Sequence, residues 1–351
     1  MNHLVIGFGL ILVAAVSGGA FGLQYRTMRR YTVDNAALLS LFFATIVVPL
    51  IAINILLPGW FGVIKAAGFK ANLLVFVLGF GWGLGATTYS YSFSILGMAL
   101  AASVLKGLSI AVGSGIPLFR HWHEVPLSAR LVTLCGIVML LVGAGIAGKA
   151  GILREREAKP EDEERPAKPI ASCVIKCSGK IFWIGLFVCL LSGVLSACAN
   201  LGYEYAAPLE KLAQGIGNVD LWATLIRWMP MYWGGISALL VFQGGNMLRR
   251  GTWRNYFAPG SGRDFAISSS MGLVHFMAQI PYGIGAFYLG TLGTTVGWGA
   301  NIGMALIVAA SLGFITGEWK GVSKKATNTL CTSIGVLLVA IIVLAYANTL
   351  A

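Results

Sequence analysis

Ten stretches of about twenty predominantly apolar residues follow one another along the chain, at 3–25, 36–57, 73–95, 98–119, 129–148, 182–206, 222–244, 265–289, 292–316 and 329–348. A bilayer core about 30 Å thick is crossed by about 20 helical residues. Inside hydrocarbon every backbone N–H and C=O must be satisfied, and for apolar runs of this length the helix is the form that does so. The fold class is therefore an all-α membrane protein with ten transmembrane helices. Composition agrees. Charged residues make up 11% of the chain, against about 25% in soluble domains. Glycine is 46 of 351 residues, which suits helices packed backbone to backbone. The joints at 96–97 and 290–291 are so short that each flanking pair must form a tight antiparallel hairpin. The net charge of +12 points to no nucleic-acid partner, because the cations lie mainly in loops, where they orient the chain in lipid.

With the N-terminus outside, the inner loops and helix edges hold 18 Lys and Arg and the outer ones hold 5. Only Lys106 and Arg227 fall inside spans. This asymmetry predicts both termini outside and residues 149–181 in the cytoplasm. The start "MNH" has no basic n-region, while "RTMRR" follows the first apolar run, so the first segment reads as an uncleaved anchor.

Residues 149–181 form a charge-dense, proline-bearing linker that splits the chain into a first five-helix repeat, 1–148, and a second, 182–351. Cys173 and Cys177 lie in it with no histidine nearby, too few ligands for a metal. Cys135, Cys189, Cys198 and Cys331 fall in the spans, where a thiol acts as a small apolar group. No disulfide, metal or cofactor is expected. The halves share a pattern: "WGLGATTYSYSFSILG" (82–97) and "YGIGAFYLGTLG" (282–293) both carry aromatic-Gly-x-Gly-Ala and close on Leu-Gly. A repeat of five helices is odd, so the second copy enters the membrane inverted. Inverted repeats are typical of secondary transporters, with the substrate near mid-membrane between the copies.

The chain has no P-loop, no H-E-x-x-H and no G-x-S-x-G, so enzyme chemistry and ATP-driven transport find no support. The layout resembles the L-rhamnose–proton symporter family of the drug/metabolite transporter superfamily. The likeness is most specific at "WGLGATTYSYSFSILGMAL" (82–100), "YEYAAPLEKLA" (203–213) and "GEWKG" (317–321). It implies ten helices in two inverted repeats, a cell (inner) membrane and proton-linked sugar uptake. The family pattern also implies asparagine after W-G-x-G, where this chain has Ala86 and Thr88, and no lysine at position 106.

His275 stands near the middle of the eighth span and shares a helical face with Ser268, Gly272, Gln279 and Tyr282. Lipid penalises such a stripe, so it should face the bundle interior, and the resemblance places a histidine at this depth. His275 is a candidate proton carrier or sugar ligand, or a histidine bonded to neighbouring backbone. A sugar needs flat aromatic faces and groups that bond hydroxyls. Trp82 and Tyr89 on the third span, Gln279 on the eighth, and Trp298 and Asn301 on the ninth are the candidates, with plain packing as the alternative for each. Glu204 is a second coupling candidate. Glu204 and Glu210 read as outer-end residues, Glu318 as an inner-end one, and Arg227 stands about seven residues from the outer end of its span, within snorkelling reach of the interface.

Lys106 lies eight residues past Met98, about 12 Å along the axis, where a charge costs about 2.5–3.5 kcal/mol on insertion scales. It is expected to face the substrate cavity, donating to a sugar hydroxyl or an anionic group; solvation at a cavity wall is the alternative. The leading function is a proton-coupled importer of a small neutral sugar, L-rhamnose or a related deoxysugar, with sugar, protons and membrane lipid as partners. Alternatives are an exporter or exchanger of an anionic or zwitterionic metabolite on the same fold, and a membrane sensor signalling through the linker.

Overall fold

A computed structural model describes residues 2–20, 28–96, 98–157 and 180–351. The linker cysteines, Cys173 and Cys177, lie outside the described residues. Helix accounts for almost all of what is described, with no strand among the described residues. The long helices are α1 (Asn2–Ala20), α2 (Val33–Leu56), α3 (Trp60–Leu96), α4 (Met98–Arg120), α5 (Leu127–Glu157), α6 (Lys180–Tyr205), α8 (Asp220–Arg250), α9 (Gly262–Tyr288), α10 (Gly293–Ile315) and α11 (Lys324–Thr349), with a short α7 (Ala207–Gly215) between α6 and α8. Nine spans among the described residues are long and apolar enough to cross a membrane. The stretch at 265–289 does form a helix of 27 residues, α9, but is not one of the nine. Its face of serines, His275 and Gln279 lowers the very property by which a span is recognised.

Several helices outrun their apolar stretches. α5 continues through Arg154 and Arg156 to Glu157, because charged, straight-chain residues are good helix formers that hydropathy ignores. α3 begins at Trp60 and breaks at Gly68, whose φ of 77° suits glycine alone. α2 and α8 each contain one widened π turn, Phe43–Val47 and Leu240–Gly244. The end of the bundle that carries residues 149–157 is termed here the linker end. There Asp264 accepts from the backbone N–H groups of Arg29, Arg30 and Tyr31 and ties the start of α9 to the approach to α2.

Glycine decides where helices meet. A Cβ at Gly79 would strike the Met231 carbonyl, and one at Gly234 the Phe76 carbonyl, so α3 and α8 cross in backbone contact. Gly85 sits against Leu195 and Ser196 of α6, and its counterpart Gly285 against Gly7 and Ile11 of α1. The pairing of helices follows the same correspondence: α3 packs on α6 and α8, as α9 packs on α1 and α2. α4 packs on α6 and α5, as α10 packs on α1 and α11, while α4 meets α10 and α5 meets α11.

Candidate functional site

In the middle of the bundle the indole of Trp82 on α3 lies over the imidazole of His275 on α9, with ring centres 6.2 Å apart and planes 22° from parallel. Trp82 reaches that position because Gly235 of α8 leaves room; a Cβ there would come within 2.6 Å of the ring. Lys106 stands on α4. Among the described residues no carboxylate lies within ion-pair distance of Lys106. Two expected site residues, from two helices, thus meet inside the bundle. Gln279, one turn beyond His275, is half-buried, with no hydrogen bond to another described residue.

Trp298 of α10 is held against α4. Its Nε1–H donates to the Ser109 carbonyl at 3.1 Å, its ring lies where Gly113 lacks a side chain, and Tyr282 meets it edge-on at 5.7 Å. Asn301, one turn on, has a buried Oδ1 with no hydrogen-bond partner. The buried hydroxyls of Ser109 and Ser114 on α4 and Thr295 on α10 share that condition. Leaving such groups unpaired costs about 1–3 kcal/mol each, so α4 and α10 carry polar capacity that the protein does not use on itself. Tyr89 is set apart from this group. It stands about 10 Å along α3 from Trp82 and packs with Ala101, Leu105 and Cys189.

Toward the far end, opposite the linker, the interior closes on aromatic rings. Tyr203 contacts Trp228 at 4.6 Å and Tyr282 at 5.8 Å, and Trp228 stacks on Tyr232 at 5.6 Å; all four are buried. Below them Asn200 of α6 donates to the carbonyls of Gly113 and Thr294, at 2.8 and 2.9 Å, and accepts from the Tyr282 hydroxyl. One amide therefore binds α4, α9 and α10 to α6. Nothing in the sequence beyond a lone asparagine inside the apolar run 182–206 pointed to it.

Glu204, one turn further, is 6% exposed. It accepts from the Thr294 hydroxyl at 2.8 Å and from His121 Nε2 at 2.8 Å, with Arg120 at 3.5 Å. His121 bonds Glu124 through Nδ1 at 2.7 Å. Burial alone would lower the His121 pKa, but hydrogen bonds to Glu204 and Glu124 outweigh it and hold the pKa above its ordinary 6.5. His121 was not among the sequence candidates; the only signal is its place in "HWHE" directly after Arg120. Arg227 is held inside the protein. It pairs with Glu210, 4% exposed, and lies 4.8 Å over the Tyr203 ring, since a buried guanidinium is stable only when paired. Lys106 and Glu204 are not partners. Glu318 pairs with Arg154 at 2.9 Å.

Residues 1–350 match the L-rhamnose-proton symport protein family. The L-rhamnose-proton symporter of Yersinia pestis (strain Pestoides F) is 21% identical over 353 aligned positions, covering 97% of this chain and 96% of the relative. That of Citrobacter koseri matches with the same identity and coverage.

Proposed function

The chain belongs to the L-rhamnose-proton symport protein family, a family of transporters and not of enzymes, and from that premise we propose that it imports a small neutral sugar, L-rhamnose or a close deoxysugar, with protons. The observation that carries the reading is the stacking of Trp82 of α3 on His275 of α9 inside the bundle. In this reading a sugar ring lies against the Trp82 and Trp298 faces and Gln279 and Asn301 bond its hydroxyls, while Tyr89, packed on Ala101, Leu105 and Cys189, stands outside the sugar site. His275 carries the proton, with Glu204, bonded to Thr294 and His121, as the second coupling group. The matched helix pairings support two inverted five-helix units, 1–148 and 182–351, joined by a cytoplasmic linker. On this reading α9 is the tenth span.

The test is uptake of labelled L-rhamnose by proteoliposomes containing the full chain. Accumulation above the external concentration is expected with an inward proton gradient and equilibration without one. Equal uptake in both would end the symport reading. A second reading rests on Lys106, which lacks a carboxylate partner among the described residues and so suits an anionic metabolite on the same fold. Counterflow driven by a sugar acid, with none driven by rhamnose, would favour it.

A further inference from the structure

The last turns of α5 carry Lys149, Arg154, Glu155, Arg156 and Glu157, and the carboxylates there are engaged inside the protein. Glu155 accepts from the N–H of Ala99 at the start of α4, at 2.9 Å. Glu157 accepts the N–H and hydroxyl of Ser323 at the start of α11, at 2.8 and 2.7 Å. Each places negative charge at a helix N-terminus, where the backbone favours it. Glu318 neutralises Arg154. Lys149, Arg156 and Lys325 remain, all exposed, with no carboxylate within ion-pair distance among the described residues.

Beside these three cations the surface is not flat. A groove of about 480 Å³ opens between α4 and α5, with apolar walls from Leu100, Val104, Gly107 and Leu141 and with Lys149 and Arg156 at its head. A second, of about 450 Å³, lies between α5 and α11, shares Lys149 and adds Lys325. Leu141 is eight residues from Lys149, about 12 Å deeper along the helix. Gly145, between them, faces open space.

We propose that these grooves flanking α5 bind an anionic phospholipid. Its phosphate rests on Lys149, Arg156 and Lys325, and one acyl chain lies in the trough between α4 and α5. A soluble anion would use the cations without the apolar trough, and a neutral lipid would use the trough without the cations; an anionic phospholipid uses both. Basic pockets between membrane helices suit such headgroups. The chain would lie against Gly107, next to Lys106 on α4.

Native mass spectrometry of the full chain, released from neutral detergent, tests this with phosphatidylglycerol and phosphatidylcholine of identical acyl chains. Phosphatidylglycerol should be retained and phosphatidylcholine lost. Each charge removed should weaken retention about fivefold, so Lys149→Gln, Arg156→Gln and Lys325→Gln together should weaken it about a hundredfold. Gly145→Leu fills the trough, keeps every cation, and should also abolish the preference over inorganic phosphate. Equal retention of both lipids, undiminished binding by the triple variant, or protection by inorganic phosphate equal to that by phosphatidylglycerol would overturn the proposal. So would binding that appears only when Glu161, Asp162, Glu163 and Glu164 are replaced by amides, since the occupant would then be the linker itself.

Discussion

Lys106 and His121 are the two cationic side chains whose surroundings say most about what each can do. Lys106→Met keeps length and apolar bulk, so the variant should fold with an unchanged melting temperature while the apparent KM for substrate rises at least several-fold, about 1 kcal/mol or more of lost binding. Normal uptake would remove Lys106 from the site. His121 is a matter of pH. Its pKa is raised in the folded state by Glu204 and Glu124, so its bonds contribute stability that is complete below pH 6.5 and is lost as pH rises through the raised value. The melting temperature should fall over that window in the parent protein and stay flat in His121→Gln; parallel curves would refute the assignment. At this scale the sequence was readable in part. A lone lysine, a lone histidine and tryptophans in apolar runs announce themselves, and Trp82 and His275 do meet. Asn200 and His121 stayed hidden because their importance lies in partners more than eighty positions away.

Among the helices, α3 and α8 meet backbone to backbone. Gly79 and Gly234 each face a carbonyl of the other helix, so even one methyl must push backbone aside. Gly234→Ala should cost about 1–3 kcal/mol in stability and reduce the yield of folded protein. Gly245→Ala, on the same helix with nothing within 4 Å, should be neutral or slightly stabilising. Equal melting temperatures for the two variants would mean that α3 and α8 do not cross there. Nine of the ten expected spans were legible because hydrocarbon enforces length and apolarity residue by residue. Helix ends were not, since Glu157 and Trp60 are placed by capping and packing against distant segments. α9 marks the limit: the features that make it a candidate for function are those that weaken it as a recognisable span.

For the whole molecule, the orientation rests on 18 basic residues against 5, and it implies that both termini face out. Alkaline phosphatase, active only outside the cytoplasm, should be active when fused after Ala351 and inactive when fused at Pro160. The opposite pattern would invert the protein and every assignment of outer and inner ends. The repeated Gly-x-Gly-Ala pattern hinted at two related halves, but a short motif cannot say which helices touch; the matched pairings of α3 and α9 with their neighbours supply that.

If His275, stacked under the Trp82 indole, carries the proton as proposed, the transport cycle answers to voltage. A proton that enters with a neutral sugar moves one net charge across the membrane per cycle, work of about 2.3 kcal/mol for every 100 mV. A proton that enters with an anion moves none. On a solid-supported membrane, rhamnose should therefore evoke a transient inward current that scales with potential, and His275→Asn should silence it while downhill exchange persists. A silent parent protein that still takes up substrate would mean that the charge of Lys106 is balanced by the cargo and not by the proton.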